Sequence, residues 1–382
     1  AHGEGFDMLQ HPYSLDSNAF ASLLTCGPGD EFYSTFGHTA LRICDTSQGI
    51  DYAYNYGMFS FDEPHFYLNF ARGRLNYFLG RTPFQYFLSE YAIEGRWVQE
   101  QRLSLSSADV CRLYGLLEEN YKPENKHYMY DYFADNCATR VRDMICRTSG
   151  KQQEAVAMQT TQRSFRTIMY EYTQPTLQWW QLGIDLLLGA RTDKAITEWQ
   201  TMFAPNELMK ALDEGKLNVG SDVVKQLLTE NRKPTKKSIS PTLIFWLAVV
   251  FVFLIDITSL YSRKRHYNRG VKLSNKRRLV WLDGFVFGIA GLLGVFLMAM
   301  WLGTDHYWTK ENWNLLWANP LFLVLLFRLR KNNRVVAFFL LASLAASMAL
   351  GSTGVLPQHF NAAVLPISTL LFVRTLYRIE NK

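Results

Sequence analysis

The chain has 382 residues, 48% of them hydrophobic and 15% aromatic, with a formal net charge of +6 and a mean hydropathy of −0.10. That length leaves room for two domains, and the composition excludes a disordered, collagen-like or low-complexity chain. The average hides two unlike halves: up to about residue 237 the sequence is mixed and polar, and beyond it long apolar runs are broken by basic clusters.

The chain opens on AHGEGFDMLQ, where no leader is visible, so a mature form whose leader has been cleaved is expected. FASLLTC (20–26) is an apolar run. EFYSTFGHTALRICD (31–45) follows, in which Gly37 allows a close approach and His38 opens a strand expected to alternate. Asp45, Thr46, Ser47 and Gly49 then mark the turn of a hairpin into DYAYNYG (51–57). With that turn centred near residue 46 or 47, His38 falls opposite Asn55. Asp51, nearer the turn, is the other polar candidate, and a one-residue slip would change the face.

His65 follows a proline in a loop, and His127 sits in a Tyr-rich stretch ten residues before Cys137. FADNCATRVRD (133–143) places Cys137 where a helix opens. A buried cysteine is often only a small hydrophobe. A nucleophilic one needs a base, because a free thiol has a pKa of about 8.5. Of eight histidines, His38 is best placed as that base, at a strand edge. The five cysteines, Cys26, Cys44, Cys111, Cys137 and Cys146, all precede the apolar half. An odd count leaves at least one thiol unpaired. Pairs 26–44 and 111–146 would leave Cys137 free. No CxxC or HExxH spacing suggests a metal, and no phosphate-binding loop suggests a cofactor.

LQWWQLGIDLLLG (177–189) and ITEWQTMFAPNELMKAL (196–212) are amphipathic and aromatic-rich, suited to a membrane interface or to packing on the preceding domain. NRKPTKK (231–237) is a basic linker. Five candidate membrane spans follow, at 239–260, 279–303, 314–327, 335–351 and 360–377. The third is short and the fifth carries Pro366. Loops 261–278 and 328–334 are strongly basic, whereas 304–313 and 352–359 hold only Lys310 between them. Basic loops stay cytoplasmic, so residues 1–238 are expected outside. The positive charge therefore reflects topology and not nucleic-acid binding. Asp256 and Asp283 fall inside spans near their cytoplasmic ends, where capping or snorkelling is expected. Asp305 and His306 lie at the outer surface. Arg72, Arg74 and Arg96 are candidates for a lipid phosphate.

A histidine on the first strand of a hairpin, a polar residue on the second and a later NC at a helix start is the order of circularly permuted papain-like enzymes. It resembles the lecithin–retinol acyltransferase and NlpC-type superfamily. LLTCGPGDEFYSTFGHTALRI, DYAYNYGMFSFDEPHFYLNFARGRLNYFL and YMYDYFADNCATRVRD together resemble the periplasmic domain of the Lnb-type lipoprotein N-acyltransferases of Bacteroides-like bacteria. TDHYWTKENWNLLWANPL (304–321) resembles an outer loop of that family's five-span membrane part.

The resemblance implies an α+β chain. A permuted papain-like periplasmic domain (1–174) would be followed by an amphipathic helical neck (175–238) and a five-helix transmembrane bundle (239–382) in the bacterial inner membrane. It implies Cys137 as nucleophile and His38 as base, with Asn55 third by hairpin geometry. It further implies transfer of an acyl chain from a phospholipid to the free α-amine of a diacylated lipoprotein, through a thioester on Cys137. The helix start would lower the thiol pKa, and the Cys137 N–H would serve an oxyanion hole. Tyr33, Ser34, Tyr130 and His306 are candidates for further oxyanion or substrate contacts. A phospholipase, a thioesterase or a peptidoglycan endopeptidase on the same Cys–His fold are the rival activities. A binding module with an inert Cys137 is the non-enzymatic one.

Overall fold

The computed structural model describes residues 14–62, 64–149, 159–173, 177–232, 238–267, 276–327, 334–351 and 353–380. His2, His11, linker residues 233–237 and loop residues 268–275 and 328–333 lie outside these. The chain groups into two compact units, residues 1–172 with 195–234, and residues 173–194 with 235–382. The stretch expected as a neck therefore divides between them.

In the first unit the elements run β1 (Phe20–Cys26), β2 (His38–Asp45), β3 (Ile50–Met58), α1 (Phe66–Arg72), β4 (Asn76–Pro83), α2 (Phe84–Ile93) and β5 (Val98–Leu103). They continue with α3 (Ser107–Tyr121), β6 (His127–Met129), α4 (Cys137–Ser149), β7 (Thr160–Ser164), β8 (Ala195–Thr197) and β9 (Ser221–Leu228). Seven strands make one sheet in the order β6-β4-β3-β2-β1-β5-β9, while β7 and β8 pair separately. Among the described residues the neighbouring strands pair antiparallel.

Both faces of the sheet are covered. Leu23, Leu41, Ile43 and Tyr54 share a core with Leu113 of α3 and Val141 of α4. Leu24, Ala40, Ala53 and Val98 share another with Phe84 and Phe87 of α2. Consequently β2 is buried nearly throughout rather than at every second residue. The expected alternation belongs to a sheet with one wet face, and this sheet has none at its centre.

The hairpin register differs from expectation by two residues. Cys44 pairs with Asp51 and Leu41 with Tyr54, so the turn centres between residues 47 and 48. Asp45 sets it: Oδ1 accepts from the Ser47 hydroxyl at 2.6 Å and from the Ser47 and Gln48 N–H at 3.0 and 3.3 Å. Gly49 supplies the left-handed residue, at φ 66. A shift of two keeps every side chain on its face.

All five cysteines are free thiols. Cys26 pairs with His38 and Cys44 with Phe20, at opposite ends of the β1–β2 ladder. Six strand residues, about 20 Å, exclude a 26–44 disulfide. Cys111 and Cys146 lie on neighbouring helices α3 and α4 and are also unpaired.

In the second unit, among the described residues, three helices are long and apolar enough to cross a membrane: Pro241–Thr258, Trp281–Leu302 and Arg334–Gly351. Where a third span was expected, a 3-10 turn (Trp313–Leu316) precedes a short helix, Leu321–Phe327, with Pro320 between them. The fifth expected span is the helix Val364–Glu380, whose apolar part runs Val364–Tyr377.

Asp256 and Asp283 do not cap or snorkel. Both bind Arg374, which is fully buried, at 2.8 and 2.6 Å. The helix Gln178–Leu187 ends against the loop that follows the second span. Asn312 Nδ2 donates to the Leu186 carbonyl at 2.8 Å, and Gln358 Nε2 donates to that of Leu188 at 3.0 Å. Carbonyls at the helix end, which have no partner within the helix, thus find side-chain donors. The helix Pro205–Asp213, from the other half of the expected neck, packs instead on the sheet of the first unit through Leu208, Ala211 and Leu212.

Candidate active site

Gly37 brings the chain into β2. Its φ is 78, and a Cβ there would stand 2.6 Å from the Cys26 carbonyl oxygen. Any other residue would both strain the backbone and push β2 from β1. His38 follows at once. Continuing the β2–β3 register sets residue 57 opposite His38 and residue 55 opposite Ala40. Asn55 is therefore a diagonal neighbour on the same face. His38 Nε2 lies 3.2 Å from Asn55 Oδ1. A carbonyl oxygen only accepts, so Nε2 carries the proton and Nδ1 is left with the lone pair. Asp51, the alternative third residue, is held by Arg42 at 2.7 Å and lies opposite Cys44, far along the strand.

Cys137 is the first residue of α4. Asn136 caps that helix: its Oδ1 accepts from the Ala138 and Thr139 N–H, both at 2.9 Å. Its amide donates in turn to the Tyr132 and Phe203 carbonyls at 2.7 and 2.9 Å. Asn136 is 4% exposed, so the cap also anchors the position of Cys137. Across the sheet end, β3 bulges between Asn55 and Met58. Within the bulge Gly57 has φ 91, and a Cβ there would lie 3.7 Å from the Cys137 Cβ and 3.8 Å from the Tyr130 ring.

Burial pushes the Cys137 thiol up to about 11. The N–H groups of Thr39, Ala138 and Cys137 and the charge of Arg96 oppose this without prevailing. The expected net lowering by the helix start is thus reversed by desolvation. Burial also pulls His38 down to about 4, helped by the charge of Arg96 and opposed by Asn55. Near pH 7 the resting pair is therefore a neutral thiol and a neutral imidazole. No direct hydrogen bond joins them. The tie is the Thr39 N–H, one residue past His38, which favours the thiolate.

Arg96 lies beside this pair. It is 5% exposed; Nε donates to the Gly27 carbonyl at 2.8 Å and Nη1 binds Glu94 at 2.8 Å. Its guanidinium stands 4.6 Å from the Tyr91 ring centroid, and Nη2 is buried with no hydrogen-bond partner. Because Gly27 follows Cys26, and Cys26 pairs with His38, the cation is fixed at the end of the β1–β2 ladder that carries His38.

Of the other candidates, Tyr130 lies beside Cys137 across Gly57. It meets the same Gly57 backbone, stacks on Tyr77 at 4.5 Å, and burial holds its hydroxyl protonated. Ser34 is buried and donates to the Glu31 carbonyl at 3.0 Å. Tyr33 is 64% exposed, with its ring against Phe59. His306 and Asp305 belong to the second unit, before the 3-10 turn Tyr307–Thr309. Arg72 ends α1 and Arg74 follows it, both exposed. His127 lies on β6, three strand positions from β2. The sequence reading missed Asn136 as cap and Gly57 as the backbone facing the thiol. The DN-C spacing before a helix was a signal for the first; the bulge left none.

Residues 8–171 match a family model described as the Lnb N-terminal periplasmic domain, and residues 233–381 match one described as the Lnb transmembrane domain. No curated protein and no solved structure matches the chain.

Proposed function

Because the chain is an Lnb-type protein, a periplasmic domain followed by a transmembrane domain, we propose that it N-acylates lipoproteins in the bacterial inner membrane. The donor is a membrane phospholipid, and the acceptor is the free α-amine of a lipoprotein's diacylated N-terminal cysteine. The first unit is read as a permuted papain-like domain and the second as a bundle of five helices. One observation carries the reading: a half-buried cysteine at a helix start, favoured as thiolate by the N–H of Thr39, the residue after His38, whose Nε2 faces Asn55 Oδ1 at 3.2 Å.

In the first step the Cys137 sulfur attacks the ester carbonyl carbon while His38 Nδ1 takes the thiol proton. The Cys137 N–H and the protonated Tyr130 hydroxyl face the developing oxyanion. The C–O bond breaks, His38 returns the proton to the leaving oxygen, and a lysophospholipid departs, leaving a thioester. In the second step the neutral α-amine attacks the thioester. His38 accepts its proton, the amide forms, and the thiol is restored. Burial holds the thiol up at about 11 and the imidazole down at about 4, so both rest neutral and full proton transfer before attack is disfavoured. The proton therefore moves with the attack, once substrate occupies the site. Excluding water then favours the amine over hydrolysis.

The test incubates full-length protein with phospholipid and a diacylated lipopeptide bearing a free α-amine, and follows both by mass spectrometry. The expected result is a lipopeptide heavier by one acyl chain, absent in Cys137→Ser. Cys137-dependent release of fatty acid without a lipopeptide gain would make the protein a phospholipase and overturn the transfer reading.

A further inference from the structure

Between β3 and β4 the chain makes a seventeen-residue excursion, 59–75, that contains α1. No residue of α1 is buried. Phe61 is 61% exposed, Tyr67 75%, Leu68 55% and Phe70 43%. A soluble surface scatters such residues singly, whereas a contiguous patch marks a binding face. The rings among them are contiguous: Phe66 lies 5.0 Å from Phe61, 5.4 Å from Tyr67 and 6.1 Å from Phe70.

The patch is also continuous with the nucleophile. Phe59 stands 5.9 Å from Phe66 and 5.2 Å from Tyr77, and Tyr77 stacks on Tyr130 at 4.5 Å. Tyr130 and Cys137 meet at Gly57. An unbroken file of rings thus runs from the exposed lobe to the thiol. A core does not need such a file, since its rings would be buried at both ends.

We propose that this aromatic lobe is the lipid-docking surface of the first unit. Its occupant is the acyl-chain region of bilayer phospholipid, with the ring file as the track along which a donor chain reaches Cys137. The proposal rests on the reading of Cys137 as acceptor of a phospholipid acyl group. Three features favour lipid over a protein partner. The same chain carries membrane-crossing helices, so a bilayer is always at hand. Exposed Arg72 and Arg74 stand at the end of α1, where they complement lipid phosphates. Aromatic side chains are the residues that settle at the headgroup boundary.

The experiment uses the full chain in nanodiscs of phosphatidylethanolamine and phosphatidylglycerol, with the photoreactive amino acid p-benzoylphenylalanine in place of Tyr67. Irradiation is expected to attach phospholipid at that position, read by mass, well above the same probe placed at exposed Glu119 on α3. In parallel, the combined variant Phe61→Ser, Tyr67→Ser, Leu68→Ser should raise KM for vesicle phospholipid about tenfold or more. With a short-chain monomeric donor its kcat should stay within about twofold. Labelling no better than the Glu119 control, labelling of a protein instead, or an equal loss with the monomeric donor would each overturn the docking surface. Lipid labelling at position 67 without lipopeptide acylation would leave the surface standing and remove the acyl-transfer reading. Acylation without labelling would do the reverse.

Discussion

Asn55→Ala isolates the contact that fixes the base. Asn55 is 6% exposed and its Oδ1 lies 3.2 Å from His38 Nε2. Removing it leaves a buried N–H without a partner, at about 1–3 kcal/mol, and frees the imidazole to put its proton on Nδ1. That tautomer cannot accept from the thiol. If the loss falls on the transition state, kcat/KM for lipopeptide acylation drops roughly 5- to 150-fold. Asp51→Ala is the paired control. It removes bonds of 2.7 and 2.9 Å to Arg42, which keeps Glu100 at 3.0 Å. Asp51 is 38% exposed, so about 1 kcal/mol of stability or less is expected to go, with kcat unchanged. Asn55→Asp adds a further sign: a carboxylate beside His38 raises its pKa from about 4, so the acid limb of the rate profile should move to higher pH. The assay is initial-rate mass spectrometry on full-length protein, with melting temperature as the folding check. A wild-type rate in Asn55→Ala, or an equal loss in Asp51→Ala, would refute the assignment of Asn55 as the orienting residue.

Arg96→Met removes the buried cation that pulls both His38 and Cys137 downward. His38 should then titrate higher and the thiol higher still, so the pH profile of Cys137 alkylation should shift upward; an unshifted profile would remove Arg96 from the site. In the wild type, a thiol near 11 leaves about one part in 10⁴ as thiolate at pH 7. Lipid-free alkylation should therefore be slow and rise about tenfold per pH unit up to pH 10. His38, held down to about 4 by burial, binds a proton more readily in the unfolded chain, at about 6.5. Its contribution is complete above pH 6.5 and is lost as pH falls towards 4, by about 3 kcal/mol at most. His38→Gln should flatten that part of the melting-temperature profile. Arg374→Met strands Asp256 and Asp283 in a buried site, and a loss of about 3–5 kcal/mol is expected. Arg374→Lys should recover part of it, and denaturation in detergent would measure both.

Hydrophobic run length and the placement of basic residues are local properties, so the division into a polar half and a membrane half was legible in the chain. So were the strand opened by His38 after Gly37 and the helix opened by Cys137, because a close-approach glycine and a change of hydrophobic pattern are local signals. The third and fifth expected spans were harder to read, since Pro320 separates a 3-10 turn from a short helix and Pro366 falls in the first turn of the helix Val364–Glu380. The hairpin register was misplaced by two residues because the Asp45 carboxylate gathers two following residues and lengthens the turn. The contact of His38 with Asn55 survived only because an even shift preserves the face.

The neck divides because its two amphipathic segments find different partners. Asn312 and Gln358 meet carbonyls at the end of one, and the sheet of the first unit buries the apolar face of the other. Composition could not separate these, since an aromatic amphipathic helix suits either surface. Residue type and order determined which atoms can act as nucleophile and base. Tertiary structure alone decided their protonation, because desolvation and the Arg96 charge depend on what surrounds a group and not on its neighbours in sequence. It also paired Arg374 with Asp256 and Asp283 across 118 and 91 residues of chain. A buried charge must find its counter-ion wherever the fold brings one.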